Sequence, residues 1–310
     1  MRLFYRHDMC PQDEPGNYSK SPTKPRRFVE FLQRSPLWPH IALHDDFAAI
    51  RREDLLLAHT PAYVDAFLDG EPPLCESNGL RWSPAFRDSV LMTNGCLLAA
   101  ITAANAEPQI LTMAPVSGFH HAQPARGSGF CTFSGQVIAG LKLYRERGLR
   151  GAWVDLDGHF GNSIEDSRSF CPDLDQAIPV NLNPNGQHQQ YLRDLEQKMT
   201  DLLARVAEGS IDYICVAHGA DSHEWDQLGH QCTTEEWLRA SEIVYGLIQG
   251  VRKERAIPVT LALFGGYRDD HPESVLGLHA MDTALAMAHL EQRPALLDYQ
   301  AEVRAPWQFR

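Results

Sequence analysis

Asp157, Gly158 and His159 stand in a row, with a carboxylate and an imidazole at i and i+2. In an extended segment alternate side chains point the same way, so both could reach one ion. Asp221, just past another apolar run, offers a third ligand. Three protein ligands leave one or two positions open, which suits a catalytic metal rather than a structural one. The mixed carboxylate and imidazole set is borderline in softness: zinc is the first choice, and Fe(II) or Co(II) also suit it. Alone, this spacing is weak evidence, because an aspartate that caps a turn beside an ordinary loop histidine has the same form. What favours the metal is its place after an apolar run, beside other motifs placed in the same way.

His120 and His121 are the second such motif, followed by Gly127-Ser128-Gly129-Phe130, a flexible loop that ends in an aromatic ring. Two imidazoles near a polarised water can share proton transfer. Each then needs a partner on its far nitrogen to fix its tautomer, and Asp155 and Asn162 are the available candidates. Gly265-Gly266-Tyr267 sets a tyrosine on a turn, and its hydroxyl could donate to an oxyanion. Read by itself, that tyrosine is equally an amphipathic rim residue at a strand end.

Elements that could hold these residues together are visible in the apolar pattern. Gly151–Val154, Ile211–Ala217 and Pro258–Phe264 read as short buried strands, and Gln109–Met113 as a weaker one. Helical periodicity covers Ser134–Arg147, Gln189–Ala207, Thr233–Arg255, which opens on the capping pair Thr233 and Glu236, and Pro272–Leu290. Strands alternating with helices imply a parallel sheet covered on both faces, with ligands bound beyond the carboxyl ends of its strands. Each motif directly follows one of these runs, so residues scattered in sequence should converge on one sheet edge.

Composition narrows the class. With 310 residues, 44% of them hydrophobic, the chain can bury a large core. Lys+Arg 28 against Asp+Glu 40 gives 28 − 40 = −12, and no basic run is free of acids, so no nucleic-acid footprint is expected. Seven cysteines without CxxC spacing indicate neither a disulfide framework nor a structural zinc site. The first residues lack the apolar core of a signal peptide, and no apolar run approaches a membrane span, so a cytoplasmic protein without a membrane partner is expected. Oligomeric state is not legible.

The order of motifs resembles the histone deacetylase and acetylpolyamine amidohydrolase superfamily: His120-His121, Gly129–Phe133 (GFCTF), Val154–Asn162 (VDLDGHFGN), His218–Gly229 (HGADSHEWDQLG) and Gly265–Tyr267. Upstream, Ser21–Phe28 (SPTKPRRF) is similar to that family's early loop and helix, and His59–Tyr63 (HTPAY) to another of its segments. The resemblance covers about Arg2 to Leu290. It implies one catalytic domain over 1–310 with an arginase/deacetylase-like three-layer α/β/α fold and a central, mostly parallel sheet. It implies zinc on Asp157, His159 and Asp221, with His120 and His121 as catalytic imidazoles oriented by Asp155 and Asn162, and Tyr267 as oxyanion donor. Gly129 and Phe130 would wall the acyl channel, Leu228 would stand at its mouth and Arg27 near an internal acetate channel. The carbonyls of Asp155, Asp157 and His159 match a structural potassium site. The implied reaction removes an acetyl or other acyl group from an amine, such as acyl-lysine or a small acylated amine. His121 would protonate the leaving amine and His120 give electrostatic support.

The chain departs from the pattern in three places. Phe160 replaces a second histidine, which should change the packing beneath the metal. Phe119 and the Ser117-Gly118 pair replace the usual Pro-Gly lead to the histidine pair. Leu228 stands where a polyamine-selective member carries Glu, which weakens the case for a free polyamine cation. Two rivals remain: an arginase-like two-metal ureohydrolase, for which Phe160 and Asn162 are poor ligands, and a catalytically silent metal-binding homologue.

Overall fold

The computed structural model describes residues 1–11, 17, 19–268 and 270–299; the last part of the expected 1–310 domain, residues 300–310, lies outside the described residues. Seven strands form one sheet: β1 (Arg2–Phe4), β2 (Ala42–His44), β3 (Thr112–Met113), β4 (Gly151–Asp155), β5 (Val180–Leu182), β6 (Tyr213–Ala217) and β7 (Val259–Ala262). Their order is β2-β1-β3-β7-β6-β4-β5, and every pairing is parallel. The helices are α1 (Lys24–Gln33), α2 (Arg52–Leu55), α3 (Pro61–Asp69), α4 (Pro84–Ala106), α5 (Gly135–Arg147), α6 (Ser163–Ser167), α7 (Leu174–Ala177), α8 (His188–Ala207), α9 (Thr234–Arg252) and α10 (Pro272–Leu290).

Every residue of β4 and β6 is buried, as continuous apolar runs in a doubly covered parallel sheet should be. Alternate side chains enter two separate cores. Val154, Ile214 and Leu261 pack with residues of α1, α8, α9 and α10 on one face. Trp153, Tyr213 and Cys215 pack with α3, α4 and α5 on the other. The result is a three-layer α/β/α fold.

Register places the motifs level with one another. Asp155 pairs with Ala217, Ala217 with Ala262, and Met113 with Leu261. The strands preceding the four motifs, β3, β7, β6 and β4, are adjacent in the sheet. The chain leaves them at the same edge, and the segments after them share one rim.

The apolar runs overestimate some strands and miss others. Strand β7 ends at Ala262 rather than Phe264, and β3 keeps only two residues. β1, β2 and β5 have three residues each, too few to display a period. α10 matches its expected span, Pro272–Leu290, and is buried nearly all round. One expectation is corrected: α4, at 23 residues, is long and apolar enough to cross a membrane by length and composition. Its only charges, Arg87 and Asp88, lie in the first turns. In the fold, 56% of its most apolar window is buried.

α9 begins as its sequence directs. Thr233 Oγ1 accepts from Glu236 N at 3.3 Å, and the Glu236 carboxylate accepts from Thr233 N at 3.0 Å. Thr233→Ala should therefore cost about 1 kcal/mol, read as a lower denaturant midpoint; an unchanged midpoint would show that the cap adds nothing to stability.

Candidate active site

At the end of β4 the chain bends sharply. Asp157 Oδ1 accepts the His159 N–H at 3.0 Å, so the two side chains share a side through an aspartate-closed turn, not through the extended backbone expected from their spacing. Asp157 Oδ2 accepts Gly265 N–H at 2.8 Å, and Asp221 Oδ1 accepts Gly158 N–H at 3.0 Å. His159 Nδ1 lies 3.2 Å from Asp157 Oδ1 and 3.0 Å from Asp221 Oδ2. Gly265 cannot carry a side chain, since a Cβ there would sit 2.2 Å from Asp221 Oδ2.

Asp157, His159 and Asp221 each offer one ligand atom within 4.8 Å of the others, the one such group of three found among the described residues. Both carboxylates are buried while the His159 side chain is 37% exposed, so the group opens toward solvent. No lysine or arginine pairs with either carboxylate among the described residues; their ion-pair partners are His120 and His159. Two buried carboxylates, faced by imidazoles and at longer range by the buried Lys24 ammonium, suit a divalent cation, and the O/N donor set suits zinc.

Without a cation the imidazoles carry that role. Hydrogen bonds to Asp157 and Asp221 push His159 up to about 10. Burial and the charge of Asp157 push the Asp221 carboxyl up to about 7. Burial alone would lower His120, but the charges of Asp157 and Asp155 outweigh it and hold His120 at about 9. Burial and the neighbouring His120 push His121 down to about 4. The two adjacent histidines are thus shifted in opposite directions.

The loop after β3 delivers this pair, with ring centroids 4.0 Å apart. His120 Nδ1 lies 3.0 Å from Asp155 Oδ2, and His120 Nε2 lies 3.7 Å from Asp157 Oδ1. His121 Nδ1 lies 2.8 Å from Asn162 Oδ1, and Asn162 Nδ2 donates to Asp166 Oδ2 at 2.6 Å. Both far nitrogens therefore have the partners expected from sequence, and Asp166 extends the second chain.

Gly129 has φ +51°, and a Cβ there would meet His121 Cδ2 at 2.7 Å, so glycine is required beside the imidazole. Phe130 follows at φ 63° and Phe264 at φ 58°. Left-handed backbone at such residues costs about 1–3 kcal/mol each and gathers at sites that must be shaped. The Phe130 and Tyr267 rings lie 5.8 Å apart. Leu228 is 41% exposed at the rim. Arg27, on α1, lines a cavity with Lys24, Gly266 and Tyr267, so it stands behind the tyrosine.

Phe160 does not change the packing beneath the metal group, as its position suggested: it is 57% exposed. His159 turns inward to the carboxylates, and the next side chain faces out. Sequence reasoning missed three supports. The Lys24 ammonium donates to the Phe264 carbonyl, Asn183 Oδ1 accepts Gly161 N–H at 2.7 Å, and Asp226 Oδ2 accepts Tyr267 N–H at 2.6 Å. Lys24 and Asp226 lie inside quoted motifs, but nothing in their spacing shows which backbone groups they meet.

Residues 18–174, half of the chain, match the histone deacetylase domain. An uncharacterized protein of Picosynechococcus sp. is 30% identical over 237 residues, 69% of this chain and 75% of its own length. The chain belongs to the histone deacetylase family. Histone deacetylase 14, chloroplastic, of Arabidopsis thaliana is 28% identical over 267 residues, 72% of this chain and 61% of its own. Among solved structures, the HDA15 HD domain superposes with a TM-score of 0.71 over 98% of this chain and 95% of its own, at 15% identity. The two share the fold. Asp221 and Tyr267 lie beyond the stretch matched to the domain, so their place rests on the geometry above.

Two outcomes are expected. Asp221→Ala should lose bound zinc in metal analysis; full occupancy would remove Asp221 from the ligand set. Because a cation must displace the proton held on His159, zinc affinity should rise from pH 5 to pH 8, with proton release visible in calorimetry across buffers of different ionisation enthalpy. An affinity flat over that range would contradict this coupling.

Proposed function

We propose that the chain is a zinc-dependent amidohydrolase that removes an acetyl or other acyl group from an amine, with acyl-lysine or a small acylated amine as substrate. One observation carries the reading. Three candidate ligands converge beside two imidazoles, and each imidazole is tied through its far nitrogen to a different partner. Family membership supports a deacetylase-type hydrolase and acylated amines as its substrates.

Zinc on Asp157, His159 and Asp221 would supply Lewis-acid polarisation of the amide carbonyl and of the attacking water. The residues of the chain do the rest. His121 is neutral at ordinary pH, because burial and His120 hold it near 4, so it can accept a proton from water and return it to the leaving amine. His120, tied through Nδ1 to Asp155 and lying beside Asp157, would give positive charge beside the reacting atoms when protonated. Burial keeps the Tyr267 hydroxyl protonated well past neutral pH, so it can donate to the carbonyl oxygen as charge grows there. Gly129 and Phe130 form one wall for the acyl group, with Leu228 at the mouth and Arg27 behind Tyr267. The carbonyls of Asp155, Asp157 and His159 would be the ligands of a structural potassium ion.

The test is turnover by zinc-loaded protein of acetyl-lysine peptides, long-chain acyl-lysine peptides and acetylpolyamines, against a chelated control; Fe(II)- and Co(II)-loaded samples address the metal. Hydrolysis of acyl-lysine that the chelator abolishes is expected. No turnover of any substrate by metal-replete protein would reject the reading. Tyr267→Phe should lower kcat about 10²–10³-fold, and near-normal kcat would remove Tyr267 as the donor.

A further inference from the structure

The segment between Asp221 and α9, residues 222–233, folds back over the site. Cys232 N–H donates to Ser222 O at 2.9 Å and Glu224 N–H to Cys232 O at 2.7 Å, which closes the loop at its base. His230 N–H donates to Asp221 O at 3.3 Å, and Gln231 Nε2 to Gly158 O at 2.6 Å, so the loop is fastened to the backbone of the ligand segments. Leu228 stands at the exposed tip.

Inside that tip is a buried carboxylate. Asp226 is 4% exposed and pairs with no lysine or arginine among the described residues. Both of its oxygens face backbone donors. Oδ1 accepts Leu228 N–H at 2.9 Å, and Oδ2 accepts Tyr267 N–H at 2.6 Å. Burying a carboxylate is costly unless its hydrogen bonds are made, so the loop holds together only while both donors stay in place. A second tie runs beside it, from Arg268 Nη1 to Trp225 O at 2.9 Å.

Tyr267 depends on these ties. It follows Gly266, whose φ of 138° turns the chain off the end of β7, and it belongs to no helix or strand. Anchors upstream, Lys24 on Phe264 O and Gly265 N–H on Asp157, stop short of it. Past Gly266, the Tyr267 backbone is fixed to Asp226.

We propose that Asp226 is a positioning residue: its carboxylate sets where the Tyr267 hydroxyl stands and ties that position to the mouth loop carrying Leu228. The proposal rests on the reading of Tyr267 given under the proposed function. A charge-assisted bond to a backbone N–H fixes the chain to a few tenths of an ångström, and a small misplacement of a donor is enough to depress a chemical step.

The test uses the full-length, zinc-loaded protein with an acetyl-lysine peptide. Asp226→Asn keeps the shape but turns an N–H toward one of the two donors; Asp226→Ala removes both acceptors. The expected result is a fall in kcat of about 10- to 100-fold, with KM within about twofold and zinc content unchanged. In a Tyr267→Phe background the same substitutions should cost almost nothing further, because the group they position is gone. Equal losses in both backgrounds, or a loss confined to KM, would overturn the proposal and leave Asp226 with a fold role alone. Hydrogen exchange across residues 264–268 gives a readout free of turnover. The Tyr267 amide should exchange faster in both variants while the segment around Asp157 keeps its protection, and unchanged exchange at Tyr267 would also overturn the proposal. If the wild-type protein hydrolyses nothing but exchange at Tyr267 rises in the variants, the functional reading fails and the tie to Asp226 stands.

Discussion

Two buried carboxylates, Asp157 and Asp221, are held with their oxygens against one imidazole, and this constraint organises the site. Like charges this close repel, and burial removes the water that would screen them. The fold answers with donors on every side: Gly158 and Gly265 N–H, the His159 ring and, one step away, His120. Each of these is a backbone group at a strand end or a side chain beside one. The requirement that four adjacent parallel strands end level is therefore electrostatic as much as topological.

A second polar cluster lies deeper, behind the Asp221 segment. Asp282 on α10 accepts from Tyr245 and Ser241 and lies 3.1 Å from His218 Nδ1, all buried. The His218 ring stacks on Trp237 at 3.7 Å, and Trp237 Nε1 donates to Gly219 O at 3.2 Å. His218 Nε2 is buried without a partner, but the bonds made through its Nδ1, Ser241, Tyr245 and Asp282 favour one arrangement of these elements over near alternatives. Here they fix the loop that carries Asp221 against α9 and α10.

Much of this was legible in the sequence because strand ends and chemistry coincide. The runs GAWV and IDYICVA identify β4 and β6, and the motifs after them are the rim residues. The need for a tautomer partner pointed to Asp155 and Asn162 as candidates, and the fold gives the first to His120 and the second to His121. What escaped has a physical reason in each case. β1, β2 and β5 are too short for period-two alternation to show. α4 carries apolar residues nearly all round, with Phe86, Val90, Met92, Leu97 and Ile101 buried and Leu91 and Leu98 partly so, and its amphipathic signal is faint. The outward turn of Phe160 depends on the aspartate-closed bend, which replaced the extended geometry that spacing suggested. Lys24 and Asp226 act on backbone groups more than forty positions away, information that no local pattern holds.

The parallel sheet also decides when such a site can exist. β1 pairs with β3, and β3 with β7, so the N-terminal strand is joined to the sheet's centre only through segments near residues 112 and 260. Gly265 and Asp157, bonded in the finished protein, are 108 positions apart in the chain. A topology built from such distant pairings has high contact order and closes late. On the ribosome Asp157 and His159 emerge well before Asp221 and the Gly265 amide, so the nascent chain carries an incomplete set of candidate ligands. The candidate metal group gains its last backbone donor, Gly265 N–H, only when β7 docks, which makes the last strand of the sheet the step that completes the site.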